Sequence, residues 1–326
     1  MSKTLMVSIS GIRGIFGSGL DPQVLVKYAS AFGAWCAGAK SASAGGATTL
    51  GDGTSARPTV VIGRDARVTG ALCSRIVGGT LQAAGCRVID LGLATTPTVE
   101  MAVIGYGAQG GIVLSASHNP GEWNALKLLN GKGEFLSPQE GIAVIDLAEA
   151  GEAHTVAWDQ IGSLEEGTYL TEHIQAILDL PFIDQESIAR RDFRVLVDGI
   201  NSVGGVALPE MLRALGVRDE QIVRVNCEPT GHFAHVAEPL PQNLVETIRA
   251  VKDSGADIGI VVDPDADRLA LIQDGGVYFS EELTQVVAAD FLWRFRSGPF
   301  ATNLSSSRAI EDVAARYGEE VFRSAV

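Results

Sequence analysis

Aspartates stand at positions 263, 265 and 267, directly after the apolar run ADIGIVV that ends at Val262. Three carboxylates so close repel one another unless a cation neutralises them, and an all-oxygen set suits Mg²⁺ or Ca²⁺. An EF-hand loop of the D-x-D-x-D-G type is excluded. Its sixth position would be Arg268 instead of glycine, its twelfth is Asp274, and the segment before it reads as a strand. A phosphatase that uses Asp263 as its nucleophile is a rival, although it would want Thr or Val where Asp267 stands. A solvated acidic turn is the bland alternative.

A second cluster lies in VLSASHNPGEW, Val113 to Trp123. An apolar run ends in Ser115-Ala116-Ser117, then His118, Asn119 and Pro120 follow. Ser117 can be a turn or cap residue. It also stands just past the carboxyl end of a strand, where open α/β sheets place ligands. Adjacency to His118 does not make a triad, because neighbouring side chains need not face each other. Cations complete the set. Arg13 lies between glycines in SGIRG, Arg64 and Arg67 follow a strand in GRDAR, Lys127 lies in NALK, and Arg268 follows the aspartates. Singly each is a solvated charge; gathered at strand ends they could hold a phosphoryl group.

The elements that must position these residues alternate. TVVIG (59–63), CRVIDLG (86–92) and GGIVLS (110–115) read as buried strands. Helical patterns separate them at 70–85 and from Thr96, the latter opened by Pro97. This predicts a mostly parallel sheet covered on both faces. A helical segment at 164–180 leads to a second unit with strands FRVLVDGI, QIVRVN and ADIGIVVD and helices at 203–216, interrupted at Pro209, and 244–255. A third unit is expected to begin with LALIQDGG and to end in the strand-like VFRSAV. Ala37–Arg57, rich in Gly, Ser, Ala and Thr, reads as a flexible surface insertion, and 151–162 as a connector.

Composition narrows the classes. With 39 acidic and 25 basic side chains in 326 residues, the net charge of −14 repels a phosphate backbone, so nucleic acid is not an expected partner. Cys36, Cys73, Cys86 and Cys227 form no zinc or C-x-x-C spacing and read as reduced core thiols of a cytoplasmic protein. No signal peptide or membrane-spanning segment is expected.

Together SASHNP (115–120), DPDADR (263–268), SGIRG, GRDAR and TNLSSSR resemble, in order along the chain, the motifs of the α-D-phosphohexomutase family. The resemblance implies successive mixed or parallel-sheet α/β domains of the phosphohexomutase type. Domain I would be 1–152 with a phosphoserine loop, domain II 160–272 ending in a metal loop, and 273–326 part of domain III, with domain IV absent. It implies interconversion of hexose or hexosamine 1- and 6-phosphates through phospho-Ser117 and a sugar 1,6-bisphosphate. One Mg²⁺ would be held by Asp263, Asp265, Asp267 and the Ser117 phosphoryl. Arg13, Arg64 and Lys127 would bind substrate phosphate. Arg13 and Arg268 would stabilise charge, Lys127 would serve as general acid/base or electrostatic aid, and His118 would support the serine. The expected partner is a phosphosugar, with the chain a monomer or homodimer. Phosphoglucosamine mutase and phosphoglucomutase/phosphomannomutase are the activities most similar in motif. An inactive truncated chain or pseudoenzyme is the alternative to a working mutase. Pro264 departs from the glycine common in the family's metal loop, which stiffens it without removing a carboxylate.

Overall fold

A computed structural model describes residues 4–9, 11–43, 57–151 and 154–325. The first unit runs β1 (Met6–Ser8), β2 (Gly11–Ile15), α1 (Pro22–Ser43), β3 (Thr59–Arg64), α2 (Gly70–Ala83), β4 (Arg87–Leu93), α3 (Thr96–Gly105), β5 (Gly110–Leu114), β6 (Trp123–Asn130), α4 (Pro138–Glu149) and β7 (Leu164–Glu166). Its sheet has the order β1-β2-β6-β5-β3-β4-β7. The β5, β3, β4, β7 half is parallel and the β1, β2, β6, β5 half antiparallel. The sheet is therefore mixed, and β2 and β6 are strands that periodicity did not announce.

Side-chain alternation explains why β3 and β5 read as unbroken apolar runs. Val60, Ile62, Ile112 and Leu114 enter one core with Phe32 of α1, Val77 and Leu81 of α2 and Val144 of α4. Val61 and Val113 enter the other, with Val99 and Val103 of α3. Both faces are covered, so both must be apolar. Local signals start the helices. Thr95 caps α3 by accepting the Thr98 N–H, and Ser137 and Glu140 form a reciprocal capping box at α4.

The second unit contains α5 (Leu170–Leu178), α6 (Gln185–Arg191), β8 (Val195–Asp198), α7 (Gly204–Ala214), β9 (Ile222–Val225), α8 (Val245–Ser254), β10 (Ile258–Val262), β11 (Leu269–Gln273) and β12 (Val277–Phe279). Its sheet is β12-β11-β10-β8-β9, parallel from β10 to β9 and antiparallel from β10 to β12. The third unit holds α9 (Thr284–Trp293), α10 (Ala309–Tyr317) and the parallel pair β13 (Phe300–Asn303) and β14 (Val321–Ser324). Val286, Ala289 and Ile310 join its helices.

Four expectations differ from this architecture. LALIQ does not open a third unit; as β11 it returns antiparallel along β10, with DPDADR as the connection. Leu164–Glu166 is not helical but an edge strand beside β4, so the first sheet extends beyond the 151–162 connector. Pro209 lies inside α7 without ending it. It forfeits only the bond to the Gly205 carbonyl, while Gly204, Ala207 and Leu212 stay buried on the sheet side. Finally, residues 37–43 of the expected insertion continue α1, and 44–56 lie outside the described residues. Among the described residues no helix is long and apolar enough to cross a membrane.

A buried polar knot fixes one loop of the second unit. Asp198 ends β8 fully buried and accepts from the Ile200 N–H at 3.0 Å, Thr247 Oγ1 at 2.5 Å, Asn226 Nδ2 at 3.1 Å and His235 Nε2 at 3.3 Å. His235 Nδ1 faces the Val236 carbonyl at 2.9 Å. Acceptors at both ring nitrogens are satisfied together only by an imidazolium. Burial works against that charge, but Asp198 outweighs it and raises the His235 pKa. Burial likewise works to raise Asp198, yet His235 and Thr247 hold it below the usual carboxylate range. The pair therefore stabilises the fold between the ordinary carboxylate pKa, about 4, and the ordinary imidazole pKa, about 6.5. The contribution fades as pH rises through the raised His235 value, or falls through the lowered Asp198 value. The melting-temperature gap between the native chain and His235→Asn should be largest near pH 5–6 and narrow towards pH 9. A gap that does not vary with pH would refute the assignment.

Candidate active site

The carboxyl ends of the parallel strands of the first two units face each other. The turns after β3 and β4 and the loop after β5 meet the turn after β8 and the loop after β10. Direct bonds tie them: the Thr96 N–H donates to the Asp265 carbonyl at 2.9 Å and the Ala66 N–H to Ser202 Oγ at 3.1 Å. Ser202 Oγ in turn donates to the Pro264 carbonyl at 2.5 Å.

Ser117 stands at the centre of this junction. Its φ of 49° lies in the left-handed region, uncommon for a non-glycine residue. Its N–H donates to Ser115 Oγ at 2.9 Å, which fixes the bend. Its Oγ donates to Asp263 Oδ2 at 2.7 Å and lies 3.4 Å from His118 Nδ1. The two loops singled out in the sequence, 146 residues apart, are thus joined through their reactive side chains.

The three aspartates converge, with one carboxylate oxygen from each lying within 4.8 Å of the others. Asp263 and Asp265 are fully buried. Asp263 Oδ1 accepts the backbone N–H groups of Asp267 and Arg268, each at 3.1 Å. Asp265 Oδ2 accepts from Thr96 Oγ1 and Lys127 Nζ, each at 2.5 Å, and Asp267 Oδ2 from the same ammonium at 2.8 Å. Asp265 Oδ1 is buried without a hydrogen-bond partner. Leaving a carboxylate oxygen so is expensive. Burial, with Asp265 and Asp267 alongside, pushes the Asp263 pKa up to about 8. One ammonium does not neutralise three carboxylates. The unpartnered oxygen and the all-oxygen donor set fit a hard divalent cation.

Lys127 is held on β6 facing this cluster. Burial opposes its charge, but Asp265 and Asp267 prevail and push its pKa up to about 12. It is therefore an ammonium, able to supply charge or a proton but not to act as a base. Lys127→Met strands two carboxylates and should destabilise the metal-free chain by about 3 kcal/mol. Millimolar Mg²⁺ should restore more stability to the variant than to the native chain. Thermal melts in EDTA and in Mg²⁺ check this; an unchanged melting temperature in EDTA would contradict it.

Arg13, Ser117, His118, Lys127, Asp267 and Arg268 line one cavity of about 250 Å³. Arg13 projects from β2 and makes no ion pair among the described residues, while Arg268 has Glu238 3.5 Å away. Burial, then Arg268, lowers the His118 pKa, so the imidazole beside Ser117 is neutral at neutral pH. Arg64 is not part of this wall: its guanidinium donates to the Asp65 carbonyl at 3.2 Å, beside the start of α2. Arg67 is fully buried and faces backbone carbonyls, so neither arginine of GRDAR lines the cavity. Sequence reasoning missed Thr96, Ser202 and Glu238. Thr96 carried only a helix-start signal, and the other two carried none.

Comparisons with known proteins agree with this arrangement. The family model for phosphoglucomutase/phosphomannomutase α/β/α domain I matches residues 5–154, and that for domain II matches residues 171–276. A phosphoglucomutase/phosphomannomutase of Thermococcus kodakarensis is 35% identical over 97% of this chain and 66% of its own length. A Methanopyrus kandleri protein, provisionally named a phosphoglucosamine mutase, is 32% identical over 97% of this chain and 65% of its own. The chain therefore spans about two thirds of the length of these curated relatives. Among solved structures, a Thermus thermophilus protein provisionally named a phosphomannomutase covers the whole chain and 70% of its own. It superimposes with a TM-score of 0.81 at 24% identity, a likeness that establishes the fold.

Proposed function

The chain belongs to the phosphoglucomutase/phosphomannomutase family of α-D-phosphohexomutases, and from that premise we propose that it carries the phosphoryl-transfer centre of a phosphohexose mutase. The substrate is a hexose or hexosamine 1-phosphate or 6-phosphate, and Ser117 is the carrier. The observation that supports this most is the 2.7 Å bond from Ser117 Oγ to Asp263, with Ser117 on the wall of a cavity that Arg13, Lys127 and Arg268 also line.

In the resting state Ser117 bears the phosphoryl group. The free hydroxyl of the sugar phosphate attacks phosphorus as the bond to Ser117 Oγ breaks. The hydroxyl proton is relayed to the departing Ser117 Oγ, and neutral His118, with Nδ1 3.4 Å from that oxygen, is placed to hand it over. Dephospho-Ser117 then attacks the other phosphate of the bound 1,6-bisphosphate, its proton replacing phosphorus on the sugar oxygen. Such transfer needs positioning and charge neutralisation above all. Arg13 and Arg268 meet the negative oxygens, as guanidinium does well, and Lys127 adds a fixed positive charge. Asp263, Asp265 and Asp267 would hold one Mg²⁺, which when bound supplies Lewis-acid polarisation of the phosphoryl oxygens. In this reading the first domain runs to about residue 166, the second to about residue 279, and the remaining residues belong to a third.

An Asp263 phosphatase is disfavoured by the bonds that engage both Asp263 oxygens. Incubation with Mg²⁺, glucose 1-phosphate and catalytic glucose 1,6-bisphosphate tests the choice, with a coupled assay for glucose 6-phosphate, beside mannose and glucosamine 1-phosphates. Conversion that depends on Ser117 supports the mutase. Release of inorganic phosphate that survives in Ser117→Ala supports the phosphatase. No turnover, with Ser117 unphosphorylated, supports an inactive chain.

A further inference from the structure

Arg67 is 1% exposed, rare for a guanidinium, and each of its five N–H donors meets an acceptor. Nε donates to Asp65 Oδ2 at 2.9 Å. Nη1 donates to the carbonyls of Pro120 at 2.5 Å and Trp123 at 3.0 Å. Nη2 donates to those of Ser117 at 2.6 Å and Asn119 at 2.7 Å. Four of the five bonds thus hold the backbone of the loop that carries Ser117. Asp65 Oδ1 accepts the Arg67 N–H at 2.9 Å, so one carboxylate fixes both ends of the arginine.

The second unit closes over the same turn. The Phe233 ring lies 5.0 Å from the guanidinium carbon, a cation–π contact. Gly231 passes so close that a Cβ there would come within 2.0 Å of the Ala66 carbonyl oxygen. Ser202 links the Ala66 N–H to the Pro264 carbonyl of the aspartate loop.

We propose that Arg67 is a positioning residue: its grip on the carbonyls of residues 117, 119, 120 and 123 turns Ser117 Oγ towards Asp263, and its contact with Phe233 couples that aim to docking of the second unit. A lysine cannot substitute. It offers three donors from one point, not five in a planar fork, and leaves about two of the five acceptors unmet.

The kinetic arm of the test rests on Ser117 being the phosphoryl carrier. In Arg67→Lys, phosphorylation of Ser117 by glucose 1,6-bisphosphate should slow about 30- to 100-fold, the cost of a misplacement near 1 Å. The half-saturating bisphosphate concentration should move less than about threefold, because Arg67 touches no substrate. Phe233→Ala, a change in a half-buried loop residue, should slow it about three- to tenfold and carries the test if Arg67→Lys does not fold. A second arm needs no turnover. In Ser117→Cys a thiolate facing the aspartates should give a charge-transfer absorption with Co²⁺. That band should weaken at least about fivefold in Ser117→Cys/Arg67→Lys while Co²⁺ affinity holds. An undiminished band, or none in Ser117→Cys itself, overturns the proposal, as does an Arg67→Lys chain of native rate. If the native chain takes no phosphate while Ser117→Cys and Ser117→Cys/Arg67→Lys show the expected strong and weakened Co²⁺ bands, the mutase reading fails and the positioning role stands.

Discussion

Ser117→Ala should lower mutase turnover at least about a thousandfold, the scale seen when a covalent nucleophile is removed. Folding should barely change. The side chain lost is small, its Oγ bonds only Asp263 and approaches His118, and the bend at 117 is held by its N–H on Ser115 and by Arg67 on its carbonyl. Binding of Mn²⁺ to the aspartates should persist, since their three carboxylates are intact. The combination of lost turnover, retained fold and retained metal separates a carrier from a structural serine. A variant that keeps a tenth of native turnover would contradict the assignment. Ser117→Thr should not rescue it, because a β-branched residue at positive φ is strained.

The second large effect concerns Asp263. Asp263→Asn should weaken Mn²⁺ binding at least about a hundredfold and turnover with it, yet stabilise the metal-free chain. The unfolded carboxyl gives up its proton near the ordinary value, whereas in the fold burial and the adjacent aspartates hold it to about 8. Between those two values the unfolded state binds fewer protons, so stability falls as pH rises. Asparagine removes that penalty. In EDTA the variant should exceed the native chain by about 1–3 kcal/mol at pH 7.5 and by less at pH 5. Adding Mg²⁺ should reverse the order. Equal melting temperatures at both pH values in EDTA would remove the basis for reading the three carboxylates as a cation site.

What the sequence revealed, and what it hid, follows from how each interaction is built. Strands β3 and β5 were legible because coverage on both faces makes them continuous apolar runs. Strands β2 and β6, GIRGI and WNALKLLN, were not, because Arg13 and Lys127 point from the sheet into the cavity and break any alternation. Ser117 and the aspartates were legible as chemistry because both follow an apolar strand. Arg64 and Arg67 could not be told apart in GRDAR. The fate of Arg67 is set by carbonyls some fifty residues away, and no local pattern encodes that. The same holds for Thr96 on Asp265, 169 residues apart. The antiparallel return of β11 was hidden because two apolar runs flanking an acidic loop suit a crossover as well as a hairpin.

The most direct test of the phosphoryl-carrier claim is the site and stoichiometry of enzyme phosphorylation. The native chain, treated with Mg²⁺ and glucose 1,6-bisphosphate, is weighed intact and its phosphopeptides are mapped by mass spectrometry. Ser117→Ala serves as the control. The mutase account predicts one phosphoryl group per chain, on Ser117, absent from the variant and lost when a hexose monophosphate is added in excess. Phosphate on Asp263 or any other residue, or its persistence in Ser117→Ala, would contradict it.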